Sequence, residues 1–193
     1  MINQNFRIQN RCSLFFKHIY DSCRLGENKV RVSKKIMLNH PKHRVWEVVS
    51  SESALELYHP FCMKNPVVIW SEEKKDKIIY LNGLEYIREF NKWIPNSGFE
   101  LSIGKENGKK SNVVWQLQDH GEGCSLTISI YPYKTSKVPR YMYSFIYLFI
   151  IKPKLGQYLT NVLKGLEYYL DYQTPVEKNH FGQHPWFSKH KPI

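Results

Sequence analysis

Lys152-Pro-Lys-Leu-Gly-Gln-Tyr-Leu-Thr-Asn-Val-Leu-Lys-Gly-Leu-Glu-Tyr-Tyr-Leu170 is the stretch on which the fold turns. Leu155, Tyr158, Leu159, Val162, Leu163, Leu166, Tyr169 and Leu170 recur at spacings of three and four, the period of a helix with one apolar face. Gln157, Asn161, Lys164 and Asp171 fall on the opposite side. A face this broad has to be covered by something of matching area. The residues before it supply that cover. Pro66–Ser71, Lys77–Leu81, Leu84–Lys92, Phe99–Gly104, Ser111–Asp119 and Cys124–Tyr133 read as short strands. Turn signals part them at Lys74-Lys75-Asp76, Asn82-Gly83, Pro95-Asn96-Ser97-Gly98, Asn107-Gly108 and Gly121-Glu122-Gly123. Val113, Trp115 and Leu117 alternate with Val114, Gln116 and Gln118, so a strand there has one face suited to an interior.

Further upstream, Val30 to Leu38 reads as another strand. Pro41 is a helix-start signal for a short helix carrying Val45, Trp46, Val48 and Val49. Ser53-x-x-Glu56 has the form of a capping box for a second short helix, which His59-Pro60 ends.

This order, strand, two short helices, six strands and a long helix, resembles the START-like (SRPBCC) superfamily of polyketide cyclases and lipid-transfer domains. The resemblance rests on Val32 to Pro60, with Trp46 and Tyr58-His59-Pro60, and on the helix quoted above. The tail Asn179-His-Phe-Gly-Gln-His-Pro-Trp-Phe-Ser188 resembles an uncharacterised branch of it. It implies an α+β helix-grip fold: a curved antiparallel sheet of about seven strands around the C-terminal helix, with a cavity between them. The expected organisation is an extension over 1–28, the domain over 29–173, and a tail over 174–193 that docks on the domain.

With 193 residues the chain can bury roughly 70% of its unfolded surface in one domain. The aromatic share, 15%, is high enough to furnish a cavity as well as a core. The expected lining is Trp46, Tyr58, Trp70, Tyr86, Arg88, Phe90, Trp115, Tyr158, Leu159 and Val162. Arg88, Tyr86 and His59 are the candidates for chemistry. Facing inward, Arg88 would pair with a ligand carboxylate or enolate; facing outward, it is a solvated charge. Alternation leaves both open. His59 reads as a general base or as a structural cap.

Other chemistries find no support. No G-x-x-x-x-G-K-[ST], G-x-G-x-x-G or G-x-S-x-G occurs. His180 and His184 have helical metal-ligand spacing, but Gly182 and Pro185 argue against a helix there, so no metal is expected. No cofactor and no nucleic-acid partner is expected either. The four cysteines form no C-x-x-C pair, which fits reduced thiols in a cytoplasmic protein. Neither a secretory leader nor an apolar run of bilayer length is apparent.

The net charge is +11. Residues 1–35 hold eight basic and two acidic side chains, and residues 134–164 hold six basic and none acidic. The second stretch includes the apolar run Tyr141 to Ile151. It reads either as an extension of the final helix packed on the sheet or, together with residues 1–35, as a peripheral contact with an anionic membrane. The expected function is binding or transport of an apolar small molecule. A cyclase- or dehydratase-like enzyme and a membrane-peripheral lipid handler are the alternatives.

Overall fold

The computed structural model describes residues 30–133 and 140–189. The expected N-terminal extension lies outside the described residues. From Val32 on, the described residues form one compact unit.

Strand β1 (Val32–Leu38) leads to helix α1 (Lys42–Val49), which buries Val45, Trp46, Val48 and Val49. Pro41 stands one position earlier than expected, as the N-cap, where its carbonyl accepts the Arg44 N–H at 3.0 Å. The single turn α2 (Leu55–Tyr58) follows. The expected capping box does not form, because Ser53 adopts a left-handed conformation (φ 54) and offers no cap. Glu56 instead accepts the backbone N–H of Asn65 at 2.7 Å. Asn65 is fully buried and stitches α2 to the sheet: its Oδ1 accepts from Leu55 N–H, and its Nδ2 donates to the Lys77 carbonyl.

The sheet comprises β2 (Cys62–Lys64), β3 (Val67–Trp70), β4 (Lys74–Tyr80), β5 (Glu85–Ile94), β6 (Gly98–Gly104), β7 (Lys110–His120) and β8 (Gly123–Tyr131), together with β1. Its order is β1-β8-β7-β6-β5-β4-β2, with β3 paired to β4 off this path, and each pairing is antiparallel. That is one strand more than the sequence suggests, because Asn65-Pro66 interrupts a pairing edge that begins at Cys62. Lys74–Asp76 also proves to be strand rather than turn; Ser71 to Glu73 make the bend. The alternation of Ile78 and Tyr80 therefore extends back to Asp76, which points inward and is fully buried.

Helix α3 (Arg140–Ile146) runs through a π-helical turn (Tyr147–Ile151) into α4 (Lys152–Tyr172). Leu159, Val162, Leu163, Leu166 and Leu170 of α4 are buried against the core. Burying each such side chain is worth about 1.5–3 kcal/mol, so the apolar stripe is the principal force clamping helix to sheet. Asn161 is buried as well, contrary to its place on the polar side of the helical wheel. The C-terminal tail covers that side, and Asn161 donates to the Phe181 carbonyl. The tail is held by backbone bonds from Val176 to Leu57 and from Asn179 to Pro60, each 2.9 Å, and by Asn82 Nδ2 donating to the Trp186 carbonyl at 2.8 Å.

Candidate functional site: a cavity between sheet and helix

Between the inner face of the sheet and α4 lies a cavity of about 490 Å³. Small-molecule sites commonly span roughly 300–1,000 Å³. Leu101, Val113, Trp115, Ile128 and Ile130 form the sheet wall, and Leu155, Tyr158, Leu159 and Val162 form the helix wall. Ile146 and Ile151 extend the helix wall, while Lys105, Lys109 and Tyr133 stand at an exposed rim. His59, Tyr80 and Arg88 make the deeply buried side, and Trp186 and Phe187 of the tail complete the enclosure.

The expected lining residues divide into two groups. Tyr86, Arg88, Trp115, Tyr158, Leu159 and Val162 meet at the cavity, as does His59. Trp46, Tyr58, Trp70 and Phe90 lie outside the lining. Trp46, Trp70 and Phe90 instead gather around Trp93, at centroid distances of 5.3, 5.8 and 5.3 Å, and Tyr58 tilts against Trp115 from α2. The cause is local. A register shift between Phe90 and Lys92 advances the alternation of β5 by one residue, which brings Phe90 and Trp93 together. Lys74 Nζ caps this cluster 5.2 Å from the Trp93 ring. Simple period-2 counting had no means of locating that shift. Lining residues absent from the sequence-based set include Tyr80, Ile128 and the tail aromatics Trp186 and Phe187.

Arg88 points inward. It is 6% exposed and directly opposite Asp76 in the β4–β5 register. Its Nε donates to Asp76 Oδ1 at 2.7 Å, and its second terminal nitrogen donates to Oδ2. Burial works against the guanidinium charge, but the Asp76 carboxylate outweighs it and holds the Arg88 pKa above its ordinary value. The pair is close to neutral as a unit. A ligand carboxylate would therefore find a guanidinium already engaged.

His59 is 2% exposed. Its Nδ1 accepts the Phe61 N–H at 3.2 Å, so Nε2 carries the proton and donates to Tyr158 Oη at 2.9 Å. Burial first, and then the Arg88 charge, push its pKa down to about 3. His184 repeats the arrangement. Its Nδ1 accepts from Trp186 N–H, its Nε2 donates to the Lys154 carbonyl, and burial lowers its pKa. Each is a His-Pro-aromatic corner whose ring closes a turn. The Tyr158 hydroxyl is pushed up to about 12 and the Cys62 thiol to about 12, both mainly by burial. The His59 imidazole and the Tyr158 hydroxyl on the cavity wall are thus uncharged near neutrality, an arrangement suited to holding an apolar molecule.

The two histidines give a pH dependence of stability. The unfolded chain protonates them near pH 6.5, as free histidine does, whereas the folded chain resists. Stability attached to His59 is complete above about pH 6.5 and is lost as pH falls from there toward about 3. The steepest loss is about 1.4 kcal/mol per pH unit for His59. Urea unfolding across this window is expected to show a falling midpoint in the native protein. The fall is expected to be shallower in His59→Gln. Equal slopes in both proteins would remove His59 from this account.

The fold has counterparts among solved structures. A START superfamily protein from Mycobacterium smegmatis superposes with a TM-score of 0.58 at 15% identity, covering 75% of this chain and 99% of that one. The chain has the START-like helix-grip fold. DynU16, a protein in the dynemicin biosynthetic locus, superposes with a TM-score of 0.56 at 15% identity over 75% of this chain. The chain spans only 48% of the length of DynU16. Ara h 8.0201 matches with a TM-score of 0.52 at 12% identity, covering 73% of this chain and 97% of that one. No protein-family model and no curated protein matches the sequence.

Proposed function

We propose that the protein binds and carries a hydrophobic small molecule in the sheet–helix cavity. The observation carrying this reading is the 490 Å³ space, whose walls are aliphatic and aromatic and whose buried polar groups are paired or neutral. The START-like fold supports it, since the resemblance implies cavities for lipids, polyketides and other apolar molecules. An enzymatic role for Arg88, Tyr86 and His59 is the weaker reading. Arg88 is committed to Asp76, and His59 neither charges nor offers a free ring nitrogen near neutrality.

Purified protein is expected to take up a neutral apolar fluorophore such as diphenylhexatriene with saturable enhancement. Val162 is buried on the helix wall, so Val162→Trp places an indole in the ligand's space. That variant is expected to weaken uptake at least roughly tenfold, about 1.4 kcal/mol. Absence of uptake across neutral lipids and aromatic compounds by the native protein would overturn the reading.

A second reading adds delivery at a membrane, and α3 with its π-helical turn favours it. Phe145 and Phe149 are each 61% exposed and Leu148 is 51% exposed, on the segment whose Ile146 and Ile151 face the cavity. Contiguous exposed apolar side chains of this size mark interaction surfaces. Lys105 and Lys109 at the rim and Lys152 after the π turn suit anionic headgroups. Among the described residues no helix is long and apolar enough to cross a membrane, so contact would be peripheral. Co-sedimentation with phosphatidylserine-containing vesicles is expected at low salt. It is expected to be lost in Phe145→Ser/Phe149→Ser. Equal sedimentation of both proteins would end this reading.

A further inference from the structure

The cavity contains a hydrogen-bond chain in which one proton is left without an acceptor, because two hydroxyls cannot donate to each other at once. It begins at His59, whose tautomer is set by the backbone: the Phe61 N–H occupies Nδ1, leaving Nε2–H to donate. Tyr158 Oη receives that proton at 2.9 Å. The Tyr158 and Tyr80 hydroxyls lie 3.3 Å apart. One of the two donates to the other, and this uses one of their two protons. Among the described residues, the remaining O–H has no acceptor in the chain. Reversing the direction of the Tyr80–Tyr158 bond only changes which hydroxyl keeps the spare proton.

His59, Tyr80 and Tyr158 all line the cavity. Burial keeps both phenols protonated near neutrality, so the spare group is a donor. An unmatched donor in an apolar site is unfavourable until an acceptor oxygen meets it. The charge around it limits that oxygen. Arg88 and Asp76 cancel, and His59 is neutral. A carboxylate brought here would be a buried charge without a free counter-ion, which is strongly disfavoured. A neutral carbonyl accepts one hydrogen bond at little desolvation cost.

We infer that the Tyr80–Tyr158 end of the cavity is an anchor for the neutral carbonyl oxygen of an otherwise apolar ligand, such as a long-chain ketone, ester or quinone. This rests on the ligand-binding function proposed above. It adds polarity, orientation and chemical class, and it sets the carbonyl end of the ligand beside His59 with the apolar remainder along α4.

The test compares a long-chain methyl ketone with the alkane of equal carbon number, each displacing diphenylhexatriene from the full-length protein. The ketone is expected to bind about tenfold more tightly, as one net hydrogen bond allows. The infrared carbonyl stretch of the bound, isotope-labelled ketone is expected at lower frequency than in an alkane solvent, the signature of a donated hydrogen bond. In Tyr80→Phe/Tyr158→Phe the band shift and the preference for ketone over alkane are expected to vanish. The donor that remains, His59 Nε2–H, is only 2% exposed and stands behind the missing oxygen. Should the double variant not fold, the wild-type comparison and its spectrum still decide. Equal affinities, or a carbonyl band at its alkane-solvent position, overturn the anchor while leaving ligand binding intact. Failure of both compounds and of the fluorophore to bind overturns the function itself, and the anchor with it.

Discussion

Asp76→Asn is expected to cost about 3–5 kcal/mol of folding stability, because it leaves the Arg88 guanidinium buried without its counter-charge. The asymmetry of buried ion pairs gives the expectation its force. Forming the pair gains little overall, since desolvating two charges opposes their attraction. Deleting one member leaves the entire penalty on the other. A second substitution separates this cause from simple loss of packing. Asp76→Leu/Arg88→Met removes both charges and is expected to recover most of the loss. Urea or thermal unfolding of the two proteins measures the difference. A cost below about 1 kcal/mol for Asp76→Asn would mean that water reaches the pair freely.

Gly165→Ala is expected to be comparably damaging, for a steric reason. A Cβ at Gly165 would stand 2.0 Å from the Tyr58 carbonyl oxygen and 3.2 Å from its carbon, both backbone atoms that cannot rotate away. Helix α4 crosses α2 at this point, with no room for a methyl group. The helix must lift, and the stripe from Leu159 to Leu170 lifts with it. A loss of about 3 kcal/mol is expected, at the upper end of overpacking costs. Gly156, nine residues earlier on the same helix, is the internal control. A Cβ there would meet Lys34 Cε at 3.6 Å, an ordinary contact. Gly156→Ala is therefore expected to gain up to about 1 kcal/mol from helix propensity. Circular dichroism melts of the two variants, read as opposite shifts, test both statements. A Gly165→Ala melting temperature equal to that of the native protein would place the helix farther from α2 than described.

Much of the architecture was legible in the sequence, because periodicity records which side of an element is covered. The stripe from Leu155 to Leu170 and the alternation in β7 and β8 identified a helix laid on an antiparallel sheet. Local signals failed where a distant contact outweighed them. The Lys74-Lys75-Asp76 triplet has turn composition, yet Asp76 is held in β4 by an arginine twelve residues away. Ser53 and Glu56 have capping-box spacing, but buried Asn65 draws the Glu56 carboxylate to its own backbone. Asn161 reads as polar surface until the tail covers it.

For the long helix and its apolar face, then, the sequence was sufficient, because side chains three and four residues apart share a face in any α-helix. The charge balance of the cavity's buried side was decided only by tertiary structure. Arg88, read alone, is a charge whose direction alternation leaves open. Strand register sets it opposite Asp76, burial makes their pairing necessary, and the His59 corner turns its ring toward Tyr158. Hydrogen-bond direction and charge balance depend on atoms brought within about 3 Å from remote parts of the chain, and no local pattern records those distances.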